Sequence, residues 1–178
     1  MLGGRSPLSC PELLPSNNAP LELRRRCRFL GAGSEGAAWL CDQEVLKFFH
    51  CAQRRYPFPS PFNTPREIAE FWNQYYIAIG EPKQATATVH TASELFPQHS
   101  WGQCDHQVLK TPYVEGRKAT NKEAAEAMRR YDAELELGLG DPDSSGNVKV
   151  TDKGPRIIDF GLATPSKYHP RNQNQFTD

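Results

Sequence analysis

The sequence predicts an α+β fold, in which a small antiparallel sheet with one helix precedes a short second part. Short apolar segments around a glycine-rich turn, between residues 27 and 49, are typical of strands joined by hairpins. Two later segments, near 64–79 and 121–137, carry helix-start signals and the spacing of amphipathic helices. With 178 residues, the chain has the length of one domain with tails.

The N-terminal residues 1–22 are expected to form a flexible arm, because Gly, Pro, Ser and Asn recur there with little periodicity. The arginine run 24–26 is typical of a solvated strand edge. Hairpin strands are predicted at 27–30, 37–41 and 45–49.

A helix is predicted to begin at Pro65, because Thr64 is a suitable N-cap and Glu67 lies three residues after it. Further strands are expected at 85–89 and 107–111. A second helix at 121–137 has a Thr120/Glu123 capping box and ends before Gly138. Two last strands are predicted at 148–150 and 156–158.

Composition disfavours several classes of protein. The 21 basic and 21 acidic side chains give zero net charge, so we expect neither nucleic-acid nor membrane-surface binding. No apolar window approaches the roughly 18 residues of a membrane helix, and no signal peptide is expected. Five cysteines without a C-x-x-C pair argue against a disulfide framework and a structural zinc site, and they favour a reducing compartment.

Three motifs indicate phosphate chemistry. Gly31, Gly33 and Gly36 form a G-x-G-x-x-G turn that precedes a strand rather than a helix, and such a glycine hairpin can fold over phosphates. Lys47 stands among four apolar neighbours, where an unpaired charge is costly. Its position one hairpin after the glycines favours a phosphate ligand over a side chain that simply extends to the surface. Asp159 ends an apolar strand before Phe-Gly, where a carboxylate can hold a metal ion.

In this order, the motifs resemble those of protein kinases over roughly residues 27–164. The resemblance implies ATP and Mg²⁺ as cofactors, with the three glycines covering the phosphates. Lys47 would contact the α- and β-phosphates, and Asp159 would bind Mg²⁺. It also implies that Lys47 pairs with a helix glutamate. Glu67, in an Arg-Glu-Ile triplet at the border of the apolar face, is favoured over Glu70, which points to solvent.

Residues 108–116 resemble the strand and hinge that hold adenine in kinases. By that match Thr111 is the gatekeeper, and the Pro112 carbonyl and the Val114 N–H bond the adenine edge. Proline has no N–H, but only its carbonyl is needed there.

The catalytic loop departs from the kinase pattern, because the usual His-Arg before the catalytic aspartate is absent. Asp141 matches the base by its place after the helix, and Asp143 is the alternative. Asn147 matches the second Mg²⁺ ligand.

Three features together resemble a family of minimal bacterial type III secreted effector kinases: the glycine loop G-A-G-S-E-G-A-A-W, the helix segment E-F-W-N and the short segment after Asp159. That resemblance implies a truncated, mainly helical C-lobe and a virulence role. The enzyme would be secreted into the host cell cytoplasm, would phosphorylate heat-shock protein 90 on Ser or Thr, and would act as a monomer. The implied kinase domain is 23–178, with an N-lobe at 23–111, a hinge at 112–116 and a C-lobe at 117–178.

Two other functions compete with this one. A nucleotide-binding pseudokinase that serves as a partner-binding module is favoured by the missing His-Arg, whereas Lys47, Asn147 and Asp159 favour an active enzyme. A kinase of small molecules ranks last, because the short C-lobe leaves little material for a substrate pocket.

Overall fold

The computed structural model describes residues 13–16, 19–32, 36–49, 65–81, 86–135, 137–138, 148–158 and 164–165. The chain divides into two compact units. The first contains residues 1–54, 68–73 and 83–113, and the second contains 55–67, 74–82 and 114–178.

The first unit is built on a five-stranded antiparallel sheet with the order β1-β2-β3-β5-β4. Its elements in chain order are α1 (Leu21–Arg26), β1 (Cys27–Ala32), β2 (Gly36–Cys41), β3 (Glu44–Phe49), β4 (Thr88–Thr91), α3 (Ala92–Leu95) and β5 (Gln107–Pro112). Helix α2 (Pro65–Ala78) lies between β3 and β4 in the chain, and its middle, 68–73, belongs to this unit. The predicted α+β class, with a small sheet and one main helix, is confirmed. The glycines at the facing ends of β1 and β2, a lysine in the third strand and a helix after it form a small kinase-like arrangement.

Alternation along the strands gives this sheet two different faces. Leu46 and Phe48 of β3 are buried in an apolar core cluster, whereas Lys47 between them is half-buried on the opposite face. Trp39 of β2 and Val108 of β5 continue the buried face on both sides. The sheet therefore has a core face and a second face that carries Lys47.

The N-terminal segment corrects the prediction of a flexible arm where it is described. Leu13 and Leu23 are buried in the same cluster as Trp39, and the Trp39 indole Nε1–H donates to the Leu13 carbonyl at 3.0 Å. A buried indole N–H needs such a partner. The segment shows no periodicity because isolated leucines, rather than a regular helix face, anchor it.

A disulfide between Cys27 and Cys41 corrects the expectation drawn from the cysteine count. The two residues lie directly opposite each other in the β1–β2 hairpin, with Cα atoms 4.4 Å apart. The number of cysteines and the absence of C-x-x-C spacing give no information about this pair, because the register of the hairpin brings the two cysteines together. The inference of a reducing compartment loses its support from the cysteine pattern. Cys104 is a free cysteine.

Strand β4 begins later than the predicted 85–89. The Ala87 N–H donates to the Asn73 side-chain oxygen at 2.7 Å, and the Asn73 side-chain N–H donates to the Ala87 carbonyl at 3.0 Å. These bonds engage the Ala87 backbone with helix α2 before β4 starts. The strand ends where Thr91 caps α3 in a capping box with Glu94.

The second unit contains helix α4 and two small sheets among its described residues. Its elements are β6 (Arg117–Lys118), α4 (Asn121–Leu135), β7 (Leu137–Gly138), β8 (Val148–Thr151), β9 (Gly154–Ile157) and β10 (Thr164–Pro165), together with both ends of α2. Strands β6, β8 and β9 form one antiparallel sheet, and β7 pairs with β10. None of the helices in the described ranges is long and apolar enough to cross a membrane.

The start of α4 confirms the predicted capping box. The Thr120 side chain accepts from the Glu123 N–H at 3.2 Å, and Glu123 accepts from the Thr120 N–H at 2.9 Å. Arg117 adds two hydrogen bonds to the same carboxylate, at 2.6 and 2.8 Å. These bonds, chiefly those from Arg117, lower the pKa of Glu123 to about 2.

Candidate functional site

Lys47 lies in a row of cross-strand partners that runs through the whole sheet. Ala38 and Leu109 lie directly opposite Lys47 on its two sides, and the row continues to Gly31 and Val89. Directly opposite residues project from the same face of an antiparallel sheet. A bulge at Phe29–Gly31 places Gly31 opposite Ala38. Gly31 of the glycine motif and Lys47 therefore share the face opposite the core cluster.

Thr111, the predicted gatekeeper, belongs to the same face. It lies opposite Val45, two residues from Lys47 along β3, and the period of two places both side chains on one side. Thr111 is half-buried. The Lys47 ammonium lies 5.5 Å from the centre of the Phe49 ring, so an aromatic face borders the cation. The structure thus brings Gly31, Lys47 and Thr111 to one face.

The two described glycines of the motif occupy different environments. Gly36 lies where β2 meets β3, and a Cβ atom there would overlap the Phe48 carbonyl oxygen. A Cβ on Gly31 would meet no atom within 4 Å. The close approach of β2 to β3 therefore requires glycine at position 36. Packing does not require glycine at position 31.

Gly36→Ala is expected to destabilise the protein by roughly 1–3 kcal/mol, because the added methyl must displace the β3 backbone. Gly31→Ala is the matched control and should change the free energy of unfolding by less than about 0.5 kcal/mol. Urea unfolding of both variants measures the difference. Equal free energies for the two variants would contradict the assigned approach of β2 to β3.

Pro112 ends β5 in a position that tolerates its missing N–H. The next N–H, of Tyr113, donates to the Gln43 carbonyl at 2.9 Å. Because the peptide joining Pro112 to Tyr113 is trans, the Pro112 carbonyl points the opposite way, away from β3. The pairing of β4 with β5 ends at Lys110, so β4 does not cover the Pro112 carbonyl. The Pro112 carbonyl is therefore oriented away from β3, and its predicted bond to adenine stays a prediction.

Val114 belongs to the second unit, and its carbonyl is already engaged. It accepts a hydrogen bond from the Lys149 ammonium at 2.8 Å. The Val114 N–H, predicted to bond adenine, has no hydrogen-bond partner among the described residues. Sequence reasoning did not identify Lys149, although a lysine between two valines in a predicted strand is a detectable signal.

Helix α2 places the two candidate glutamates differently. Glu67, in its first turn, is half-buried, and Glu70 is exposed, as the helical wheel predicts. The pairing of Lys47 with Glu67 rather than Glu70 stays a prediction.

The strand that leads to Asp159 is anchored within the second unit. The Ile157 N–H donates to the Tyr75 hydroxyl at 2.9 Å, and Arg156 forms an ion pair with Glu81 at 2.8 Å. Burial raises the pKa of neighbouring Tyr76 well above its usual range, so that its hydroxyl stays neutral. Five predicted residues lie outside the described residues: Gly33, Asp141, Asp143, Asn147 and Asp159.

Comparison with known proteins assigns no family. A scan against family models and a search of curated proteins found no match. Among solved structures, the chain is similar to WbdD in a co-crystal with the kinase inhibitor LY294002, at 16% identity and a TM-score of 0.38. The alignment covers 83% of this chain and 35% of that one, so the chain spans about a third of its length. The strand order of the sheet and the positions of Gly31 and Lys47 in it support the kinase-like fold instead.

Proposed function

We propose that this protein is an ATP-dependent protein kinase that transfers the γ-phosphate to a Ser or Thr hydroxyl. The observation that carries the proposal is the row that places Gly31 and Lys47 on one face of the sheet, with Thr111 on the same face. A cation beside a glycine hairpin is suited to phosphate binding. The kinase motif order supplies the nucleotide and the reaction.

The described residues fit the nucleotide that the proposal requires. Lys47 binds the α- and β-phosphates, and the Pro112 carbonyl and Val114 N–H bond the adenine edge. Thr111 sets the depth of the base pocket. Mg²⁺, held by Asn147 and Asp159 in this proposal, would neutralise phosphate charge.

The chemistry is largely positioning and electrostatic stabilisation. Asp141 accepts the proton of the attacking hydroxyl, and Asp143 is the alternative base. Lys47 holds its charge close to the phosphates, where negative charge is redistributed in the transition state. Glu67 orients the Lys47 ammonium.

The substrate in this proposal is the eukaryotic chaperone heat-shock protein 90, and the enzyme is a bacterial effector secreted into host cells. The resemblance to minimal effector kinases supports this part. A phosphate near the chaperone's nucleotide site would add about −1.5 to −2 charges and suppress its ATPase activity. In this proposal the enzyme recognises the folded chaperone rather than a short peptide.

Pure protein with Mg²⁺ and labelled ATP is expected to phosphorylate intact chaperone without an activating kinase, and a peptide spanning the modified site should be a poor substrate. Asp159→Asn is the inactive control. Incubation with a eukaryotic cell extract identifies any other labelled band. Equal rates on peptide and intact protein, or no transfer to chaperone, would contradict the proposed substrate.

A pseudokinase is the second candidate, favoured by the missing His-Arg before Asp141. It predicts ATP binding without transfer to any protein in the extract. Nucleotide binding by calorimetry, combined with the labelling experiment, separates the two functions.

A further inference from the structure

Lys149 makes a contact that the kinase motifs do not include. It lies in the middle of β8, and its ammonium donates to the Val114 carbonyl across 35 positions of sequence at 2.8 Å, in a partly buried setting. A hydrogen bond from a charged donor is stronger than one between neutral groups. The bond therefore constrains the backbone at Val114.

Backbone contacts hold the segment after Val114 against β8. Arg117 lies opposite Val150 in the β6–β8 pair, and the Ala119 N–H donates to the Val148 carbonyl at 3.1 Å. Gly116 permits this approach, because a Cβ there would lie 2.6 Å from the Val150 carbonyl oxygen. Strand pairing does not extend to Val114. The Lys149 side chain thus holds Val114 to β8 at a point that backbone pairing does not reach.

Two basic residues lie directly opposite Lys149. Its direct cross-strand neighbours are Lys118 on β6 and Arg156 on β9, and like charges directly opposite one another are destabilising. Arg156 is paired with Glu81, which reduces one of these repulsions. The Val114 bond gives a local reason for an ammonium group at 149.

The Val114 N–H belongs to the peptide that joins Tyr113 to Val114, and hydrogen bonds hold the peptides on both sides of it. The preceding peptide is held through the Tyr113 N–H, which bonds the Gln43 carbonyl, and the following one is held through the Val114 carbonyl. Because Lys149 already donates to that carbonyl, Val114 presents to a ligand a donor and an acceptor that is partly in use. Adenine offers a ring nitrogen acceptor beside its amino group, whereas guanine offers an N–H donor beside a carbonyl.

We propose that Lys149 is a positioning residue that orients the Val114 peptide and favours adenine over guanine by occupying the Val114 carbonyl. This inference rests on the proposed nucleotide site. It assigns nucleobase selectivity to a side chain that need not touch the nucleotide.

The test compares Mg·ATP and Mg·GTP binding to Lys149→Met, which keeps the chain length and removes the donor. We expect roughly tenfold weaker ATP binding, the scale of one charged hydrogen bond, and a smaller preference for ATP over GTP. Lys149→Arg should restore the preference. Lys153→Met is the matched control, because Lys153 is an exposed lysine in the turn between β8 and β9, and it should bind like wild type.

Circular dichroism checks folding of each variant, and Lys149→Leu, which also removes the donor, replaces the methionine variant if that one unfolds. An unchanged ATP/GTP ratio in the folded variant would overturn the role of Lys149 and leave the proposed function intact. Wild-type protein that binds neither nucleotide would overturn the proposed function and this inference with it.

Discussion

Lys47→Met is expected to lower phosphoryl transfer at least roughly 100-fold, the scale for loss of one strong electrostatic stabiliser. Methionine preserves the length of the side chain and its packing beside Phe49, whose ring centre lies 5.5 Å from the Lys47 ammonium. The free energy of unfolding should therefore change little. Initial rates with labelled ATP and intact chaperone, measured beside urea unfolding, separate lost chemistry from lost structure.

Lys110→Met is the matched control for that experiment. Lys110 lies opposite Leu46, on the core side of the same sheet, and its ammonium is 3.4 Å from the Glu44 carboxylate at the surface. A partly exposed ion pair of this kind contributes little to stability. Similar loss of transfer in both variants would mean that the face carrying Lys47 has no special role.

Removal of the Cys27–Cys41 disulfide is expected to lower the free energy of unfolding by roughly 3 kcal/mol. The bond closes a loop with a sequence separation of 14, and a loop near that length constrains the unfolded chain by about this amount. Urea unfolding of a Cys27→Ser/Cys41→Ser variant, in oxidising and reducing buffer, measures the loss. Reduced wild-type protein should match the variant.

Cys104→Ser serves as the comparison, because Cys104 is a free cysteine in a half-buried position. Its stability should still respond to reductant, as the wild type does. Mass mapping of unreduced peptides identifies the bonded pair directly. Stability that is the same with and without reductant would contradict the disulfide.

Local signals in the sequence were sufficient to place most of the regular structure. The strands around Lys47 were predicted near their observed bounds because turn residues and apolar runs delimit them within a few positions. Helix α4 was predicted to begin after Thr120 because its cap is formed by side chains three residues apart. Motif order likewise identified Gly31, Lys47 and Thr111 as candidates from their identities and spacing.

Contacts between distant segments required the tertiary structure. The pairing of Cys27 with Cys41 depends on hairpin register, and the burial of Leu13 depends on the position of the Trp39 indole 26 residues later. The bond from Lys149 to Val114 joins segments 35 positions apart. Periodicity and capping report which face of an element is apolar and where it ends, but they carry no information about which distant residue lies opposite. Strand register and packing determine those partners, so only the structure placed Lys149 at the Val114 carbonyl.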